Sequence, residues 1–123
     1  MLAEKRKKAM NKFFAKKTEY KGIVYDSKFE ANRAYELDIL QKLGKISNLE
    51  RQKRFILQDS YINNKGKKIR PISYIADFSY MKNKQLYVED TKSPATRTAE
   101  YRLKKKLFEF RYPEYIFIEV IKK

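Results

Sequence analysis

Two aspartates and a lysine in one predicted hairpin carry the strongest chemical signal in the sequence. Residues 73–92 read SYIADFSYMKNKQLYVEDTK and predict two alternating strands joined by a tight turn at Asn83-Lys84. Counting back along both strands from that turn sets Asp77 directly opposite Asp90. Side-chain alternation then puts Lys92 on the same face as Asp90. The pattern therefore predicts that two carboxylates and an ammonium group meet on one patch of a sheet.

A divalent cation is the partner that such a patch favours. Like charges that oppose each other directly across a sheet destabilise it, and buried carboxylates without partners are costly or take up a proton. Oxygen ligands at this spacing suit Mg²⁺ or Mn²⁺. The alternative is an exposed hairpin face on which Lys92 forms an ordinary ion pair with Asp77 or Asp90, which contributes little to stability.

Strand alternation also assigns the neighbouring residues to faces. One face of the first hairpin strand is predicted to carry Ser73, Ile75, Asp77 and Ser79, and the matching face of the second to carry Leu86, Val88, Asp90 and Lys92. This register depends on a two-residue turn. A loop of odd length would instead bring Glu89 or Thr91 opposite Asp77. Glu89, on the other face from Lys92, is therefore a reserve ligand.

A third carboxylate, Glu30, lies in the first turn of a predicted helix. The helix is expected to begin at Ser27, to run to about Leu43 and to end at Gly44. Ser27 and Glu30 have the spacing of a capping box, which favours a structural role for Glu30. Helical periodicity also puts Glu30 on the apolar face with Ala34, Leu37 and Leu40, so it could equally reach a shared metal site.

The remaining elements must position these groups. Strands are predicted at 20–25 (a short strand or hairpin arm), 46–58 with a bend near Arg51, 72–81, 86–92 and 115–121, with a basic turn at 63–66. A second helix is expected from about Thr96 to Arg111, with the apolar stripe Ala99, Leu103, Leu107 and Phe110. This order predicts a mixed α/β fold in which three antiparallel strands form a meander and a crossover helix makes the last strand parallel to a neighbour.

Composition narrows the chemistry further. The 123 residues carry a net charge of +15, which favours a polyanionic partner such as nucleic acid or an anionic membrane surface over a merely solvated basic surface. Histidine and cysteine are both absent. A His-Cys zinc site, a Ser-His-Asp triad and a histidine base are thereby excluded. Catalysis would have to use carboxylates, lysines, tyrosines and a hard metal ion.

The chain is expected to form one domain, residues 20–123, preceded by a basic arm, residues 1–19. The arm is rich in lysine and could alternatively be an amphipathic helix on a membrane surface. A run of 18 apolar residues is absent, so no segment is expected to span a membrane, and DNA rather than a membrane is the expected partner. The lack of cysteine suits a cytoplasmic protein.

These residues resemble the PD-(D/E)XK nuclease superfamily, and especially its small phage-encoded members related to Holliday-junction resolvases. The resemblance covers residues 26–121 and depends on DSKFEANRAYEL with Glu30, YIADF with Asp77, VEDTK with Asp90 and Lys92, and the basic segment TAEYRLKKKLF. It implies a restriction-endonuclease-like αβββαβ core with a mixed sheet of four or five strands flanked by helices. The sequence departs from the pattern where Ala76 replaces the family's proline and where Asp90 replaces the commoner glutamate.

The resemblance implies a Mg²⁺- or Mn²⁺-dependent DNA endonuclease, which could act on branched DNA in recombination or replication and form a homodimer. Glu30, Asp77 and Asp90 would bind the metal and Lys92 would complete the catalytic set, with Gln52 as a weak extra candidate. Nucleic-acid contacts are expected from a basic turn and the second helix: Lys67, Lys68, Arg70, Arg97, Arg102, Lys104 and Lys105. The alternative is a non-catalytic nucleic-acid-binding protein on a nuclease-like fold.

Overall fold

The computed structural model of the protein describes residues 17–121, apart from the side chain of Pro94. Most of the predicted basic arm, residues 1–19, lies outside the described residues. Within residues 17–121, no helix is long and apolar enough to cross a membrane.

Two helices and eight strands make up the described chain. The strands are β1 (Thr18–Tyr20), β2 (Ile23–Tyr25), β3 (Ser47–Gln58), β4 (Tyr61–Ile62), β5 (Lys68–Ile69), β6 (Ile72–Lys82), β7 (Gln85–Lys92) and β8 (Tyr115–Ile121). The helices are α1 (Lys28–Lys42) and α2 (Ala99–Arg111), and a 3₁₀ turn, Pro94–Thr96, precedes α2.

The main sheet has four strands in the order β3-β6-β7-β8. β3, β6 and β7 pair antiparallel, and β8 pairs parallel to β7 after the α2 crossover. The predicted mixed α/β fold is confirmed, including the antiparallel meander and the parallel last strand. Two small hairpins, β1–β2 and β4–β5, are additions to this core. The predicted arm at 20–25 is the first of them.

The turn between β6 and β7 has the predicted two residues. Asn83 and Lys84 have φ values of 50° and 64°, the left-handed conformation that matches the twist of the two strands. The ladder then pairs Lys82 with Gln85 and continues in the predicted register to Phe78 and Glu89.

Helix α1 also follows the sequence pattern. Ser27 caps it, with its Oγ accepting a hydrogen bond from the backbone N–H of Glu30 at 3.0 Å. Glu30, Ala34 and Leu37 are buried as the periodicity predicted, Ala31 is buried as well, and the predicted Leu40 is only half-buried. This face packs with Tyr25, Ile46, Phe78 and Tyr80 in one of two apolar clusters.

Helix α2 differs from the prediction in start and in orientation. It begins at Ala99, because Thr98 is the N-cap and accepts from the N–H of Tyr101. Leu103 and Phe110, predicted to be buried, are 59% and 88% exposed. The helix instead buries Tyr101 and Phe108, which pack with Phe55, Leu57, Tyr74, Ala76 and Val88 in the second cluster. Phe108 packs against the rings of Phe55 and Tyr74 on the facing sheet, and Leu107 is the one member of the predicted stripe that packs partly against this cluster.

Candidate functional site

The two aspartates lie where the β6–β7 ladder opens. Beyond the pair Phe78–Glu89, side chains replace the backbone pairing. The Asp77 N–H donates to Oδ1 of Asp90 at 3.1 Å, and Oδ2 of Asp77 accepts from the N–H of Thr91 at 2.8 Å and from its hydroxyl at 2.9 Å. Each carboxylate therefore bonds to the backbone of the other aspartate or its neighbour, which holds the two acids together.

At Asp77 the alternation of β6 is interrupted, so that the even-numbered side chains on either side of it point to opposite faces of the sheet. Tyr74 and Ala76 pack in the α2 cluster, whereas Phe78 and Tyr80, although also even-numbered, pack in the α1 cluster. The prediction that residues 73 to 79 keep strict alternation is therefore wrong.

The physical reason lies on the neighbouring strand. Gln52, which stands between the pairs Arg51–Phe78 and Lys53–Ala76, has a φ of 58°. This left-handed conformation interrupts the pleat of β3 at the level of Asp77. Gln52 is exposed, and its backbone shapes the site more directly than its side chain does.

Asp90 is the most buried acid of the site, with 2% of its surface exposed. The Tyr74 hydroxyl donates to its Oδ2, and the Lys92 ammonium lies 3.6 Å from the same oxygen. Burial, followed by the charge of Asp77, raises the pKa of Asp90 to about 6, although Lys92 and Tyr74 act in the opposite direction. The surroundings of Asp90 therefore favour its protonated form more than water does.

Glu30 is 4% exposed, and its Oε1 accepts no hydrogen bond within the described residues. The predicted capping box is only half formed, because the Ser27 side chain caps the helix and the Glu30 side chain does not bond back to Ser27. Burial raises the pKa of Glu30 to about 7, with further increases from the charges of Asp77, Asp26 and Asp90. A buried acid with a free oxygen near two other acids is a group prepared to bind a proton or a cation.

Lys92 completes the predicted set. Its ammonium lies 4.4 Å from the centre of the Tyr101 ring as well as near Asp90, and only 18% of its side chain is exposed. The aromatic face and the carboxylate together hold the ammonium at one place. Its position next to Asp90, on the same face, agrees with the alternation predicted for β7.

The oxygen atoms of the three acids are chemically suited to a hard divalent cation, but they are too far apart to bind one together. Asp77, Asp90 and the unpartnered oxygen of Glu30 offer the oxygen ligands that Mg²⁺ and Mn²⁺ prefer. Within residues 17–121, however, no three acidic side chains are gathered closely enough to hold a metal ion as they stand. A metal bound by all three would therefore require these side chains to lie closer together than they do.

A cleft of about 380 Å³ gives access to the acids from the α2 side of the sheet. Asp77, Asp90 and Lys92 line it together with residues of β6, the 3₁₀ turn and α2: Ser73, Tyr74, Ile75, Thr96, Thr98, Glu100, Tyr101 and Lys104.

The reserve ligand Glu89 belongs to a different network on the α1 side. It is fully buried, and its two carboxylate oxygens accept from Nε and Nη2 of Arg33, both at 2.7 Å. The Tyr80 hydroxyl donates to it as well. Arg33 follows Glu30 by three residues on α1. The pair therefore fixes the first half of α1 against the strand that carries Asp90.

The basic residues predicted for nucleic-acid contact divide into two groups. Lys67, Lys68 and Arg70 are in the β4–β5 hairpin and the residue that follows it, and the Asn63 side chain fixes the hairpin turn. All three are exposed, and so is Arg102 on α2. These four cations are accessible to a polyanion.

The other three predicted cations form ion pairs. Arg97 and Lys105 both contact Glu119 of β8, at 3.4 and 3.1 Å. Lys104 lines the cleft and lies 3.3 Å from Glu100. These ion pairs neutralise part of the positive charge of the three side chains.

Tyr74, Thr91 and Tyr101 contribute to the site but were not predicted. Strict alternation would have turned Tyr74 away from Asp77 and Asp90, so the change of face at Asp77 had to be known first. Neither Tyr74 nor Tyr101 is adjacent in the sequence to a candidate metal ligand, so no local signal pointed to them.

No curated protein and no solved structure matches the chain. A family model described as "Protein of unknown function (DUF1064)" matches residues 10–123, which is nearly the whole sequence. The protein with this cluster of acids on an opened strand pair is a member of the DUF1064 family.

Proposed function

We propose that the protein is a metal-dependent endodeoxyribonuclease that hydrolyses phosphodiester bonds. The observation that carries the proposal is the convergence of Asp77, Asp90 and Lys92 in one cleft, beside the buried and partly unpartnered Glu30. The net charge of +15 supplies a second reason, since it favours a polyanionic substrate. The resemblance to PD-(D/E)XK nucleases agrees with both, and a cytoplasmic location belongs to the same proposal.

The residues of the site would have the following roles in the reaction. Asp77, Asp90 and Glu30 would hold a Mg²⁺ or Mn²⁺ ion, which would supply Lewis-acid activation of the phosphate and of the attacking water. Lys92 stabilises negative charge on the phosphate oxygens and orients the water. The water oxygen would bond to phosphorus and give up a proton while the bond to the 3′ oxygen breaks, and the departing 3′ oxygen would take up a proton from solvent, which leaves a 5′-phosphate and a 3′-hydroxyl.

A cleavage assay tests the proposal. Plasmid, branched and single-stranded DNA are incubated with Mg²⁺, Mn²⁺ or EDTA. The wild type should cut with metal and not with EDTA, and Asp77→Asn should not cut. Asp59→Asn is the matched control, because Asp59 is an exposed acid that contacts Arg111 away from the cleft. A preference for branched DNA would support a role in phage recombination or replication.

A second candidate function is a non-catalytic nucleic-acid-binding protein on a nuclease-like fold. It is favoured by the finding that no three acids within residues 17–121 are gathered into a metal-binding group. DNA binding without cleavage under any of the metal conditions would support this alternative and overturn the nuclease proposal.

A homodimer is also part of the proposal, since two coordinated cuts on branched DNA need two sites. It is supported by the exposed apolar side chains Leu103 and Phe110 on α2, which lie two helical turns apart. Large apolar groups in such a position are typical of a surface that another protein covers.

A further inference from the structure

The aromatic residue that contacts the Lys92 ammonium is itself fixed from outside the cleft. The ammonium lies 4.4 Å from the centre of the Tyr101 ring, and Tyr101 is buried. The backbone N–H of Tyr101 donates to the Thr98 side chain at 3.1 Å, and its hydroxyl donates to Oε2 of Glu119 at 2.9 Å. Tyr101 is thus held at its backbone and at the far end of its ring, which keeps the face of the ring toward Lys92.

Glu119 lies next to the acid site without lining the cleft. On β8 it is the register partner of Asp90 in the parallel ladder, yet the residues that line the cleft do not include it. Its Oε1 accepts from the Lys105 ammonium at 3.1 Å, and Nε of Arg97 lies 3.4 Å from its Oε2. Together with the Tyr101 hydroxyl, these contacts engage both carboxylate oxygens, so the acceptor of the tyrosine is held in one place.

Tyr101 lines two concave surfaces. One is the cleft, and the other is a pocket of about 260 Å³ between α2 and β8. Most of the side chains that line this second pocket are charged: Arg97, Tyr101, Arg102, Lys105, Lys106, Glu109 and Glu119. The contacts from Lys92 through Tyr101 to Glu119 therefore lead from the cleft to a surface that carries none of the three candidate metal ligands.

A lysine needs such a support if its charge is to act at one atom. Its side chain is a flexible four-carbon stem that ends in a compact charge. Asp90 attracts the Lys92 ammonium at 3.6 Å, and the ring face adds a second contact from another direction. Accurate placement matters, because a displacement of about 1 Å at a reacting centre can slow a reaction about 100-fold.

We propose that Glu119 is a positioning residue for Lys92 and acts on it through Tyr101. The Glu119 carboxylate fixes the Tyr101 hydroxyl, and the ring then keeps the ammonium beside Asp90. This inference rests on the catalytic role that the proposed function gives to Lys92. A purely structural tie between α2 and β8 would leave Lys92 unaffected, which makes the two roles separable by experiment.

Proton NMR of the protein in EDTA tests the positioning without cleavage. Protons over the face of an aromatic ring resonate upfield, so the ε-methylene protons of Lys92 should lie upfield of those of the other lysines. Lys92→Met identifies the signal by its absence. The upfield shift should be lost in Tyr101→Leu. It should be reduced in Tyr101→Phe and in Glu119→Ala, which keep the ring but remove one partner of the hydrogen bond that fixes it.

Single-turnover cleavage at saturating DNA measures the consequence for the reaction. Loss of a cation–π contact by a largely buried ammonium corresponds to about 30-fold, so Tyr101→Leu should slow cleavage by about that factor. Tyr101→Phe and Glu119→Ala should each slow it about 3- to 10-fold. The two combined should be no slower than either alone, because both break the same contact. In a Lys92→Met background neither should have any further effect.

DNA binding should not follow the cleavage rate. Glu119→Ala leaves Arg97 and Lys105 without the acid that neutralises them, so anisotropy in EDTA should show binding at least as tight as that of the wild type. The matched controls are Tyr112→Phe, which removes a hydroxyl bonded to a carbonyl of β3, and Glu109→Ala, which removes an exposed acid of the same pocket. Both should cut at the wild-type rate.

Thermal melts in parallel identify any unfolded variant. The inference is overturned if the Lys92 signal and the cleavage rate are unchanged in both Tyr101→Phe and Glu119→Ala, or if these substitutions still slow cleavage when Lys92 is absent. A wild type that cuts no DNA with any metal would overturn the nuclease proposal alone, since the NMR measurement decides the positioning of Lys92 without cleavage.

Discussion

The backbone N–H of Asp77 donates to the side-chain carboxylate of Asp90 at 3.1 Å, at the level where backbone pairing between their strands ends. Asp77 in turn accepts from the residue after Asp90. The acids are thus structural ties between β6 and β7 as well as candidate ligands. For this reason Asn, which keeps one acceptor oxygen, is a better test substitution than Ala at either position.

Lys92→Met should lower cleavage by roughly 10²- to 10⁴-fold, because it removes the cation beside the reacting phosphate. It should also raise the pKa of Asp90 further above its ordinary value, since Lys92 is among the groups that lower that pKa. Single-turnover cleavage rates measure the first effect, and Mn²⁺ titration calorimetry shows whether metal binding is retained. Lys104→Met, a lysine that lines the same cleft and pairs with Glu100, should cost far less. Equal losses in the two variants would contradict a specific role for Lys92.

Glu30→Gln should stabilise the metal-free protein at pH 8 and have little effect at pH 4. The pKa of Glu30 is raised from 4.5 to about 7 in the folded state, so the unfolded chain loses this proton first as the pH rises. The free energy of unfolding of the wild type therefore falls by on the order of 3 kcal/mol between about pH 4.5 and 7, whereas that of Glu30→Gln does not show this decrease.

Urea denaturation in EDTA across that pH range measures the difference. Glu36→Gln is the control, since Glu36 is an exposed acid on the same helix. A difference between wild type and Glu30→Gln that does not change with pH would argue against a buried, protonated Glu30.

Arg33→Ala should destabilise the fold by about 3–5 kcal/mol, because it leaves the fully buried Glu89 without its cation. Chemical denaturation measures the change in the free energy of unfolding. Glu36→Ala removes the exposed partner of the same arginine and should cost at most about 1 kcal/mol. If Arg33→Ala were as mild as Glu36→Ala, the pair could not be what holds α1 against β7.

Substitution of the basic β4–β5 hairpin should weaken DNA binding uniformly across sequences. Replacing Lys67, Lys68 and Arg70 with Ala should reduce the slope of log K against log salt by about 1 for each phosphate that the variant no longer neutralises. Anisotropy titrations at several salt concentrations give the slope. Lys45→Ala, in the α1–β3 loop, is the control. An unchanged slope in the triple variant would show that the hairpin does not touch the phosphate backbone.

Phe110→Asp combined with Leu103→Asp should convert a dimer to a monomer in sedimentation equilibrium. Both side chains are mostly exposed, so the substitutions should leave the thermal stability of the protomer nearly unchanged. A wild type that sediments as a monomer at high concentration would remove the support that these residues give to the homodimer.

Much of the fold follows from local pattern. The strand period of two and a two-residue turn fix the register of β6 against β7, and Ser27 fixes the start of α1. The absence of histidine limits the chemistry to carboxylates and lysine. The apolar face of α2 was the clearest local failure. Its leucine stripe has helical spacing, yet the rings around Phe108 decide which side is buried.

Only the tertiary structure decided how the acids are held. The sequence placed Asp77, Asp90 and Lys92 on one patch, because alternation and turn length are local properties. The change of face at Asp77 depends on the left-handed Gln52 of another strand, and no local pattern around Asp77 reports it. The burial that raises the pKa of Glu30, and the Arg33–Glu89 pair that holds its helix, join residues far apart in the chain. Such contacts arise from packing, which a sequence period cannot specify.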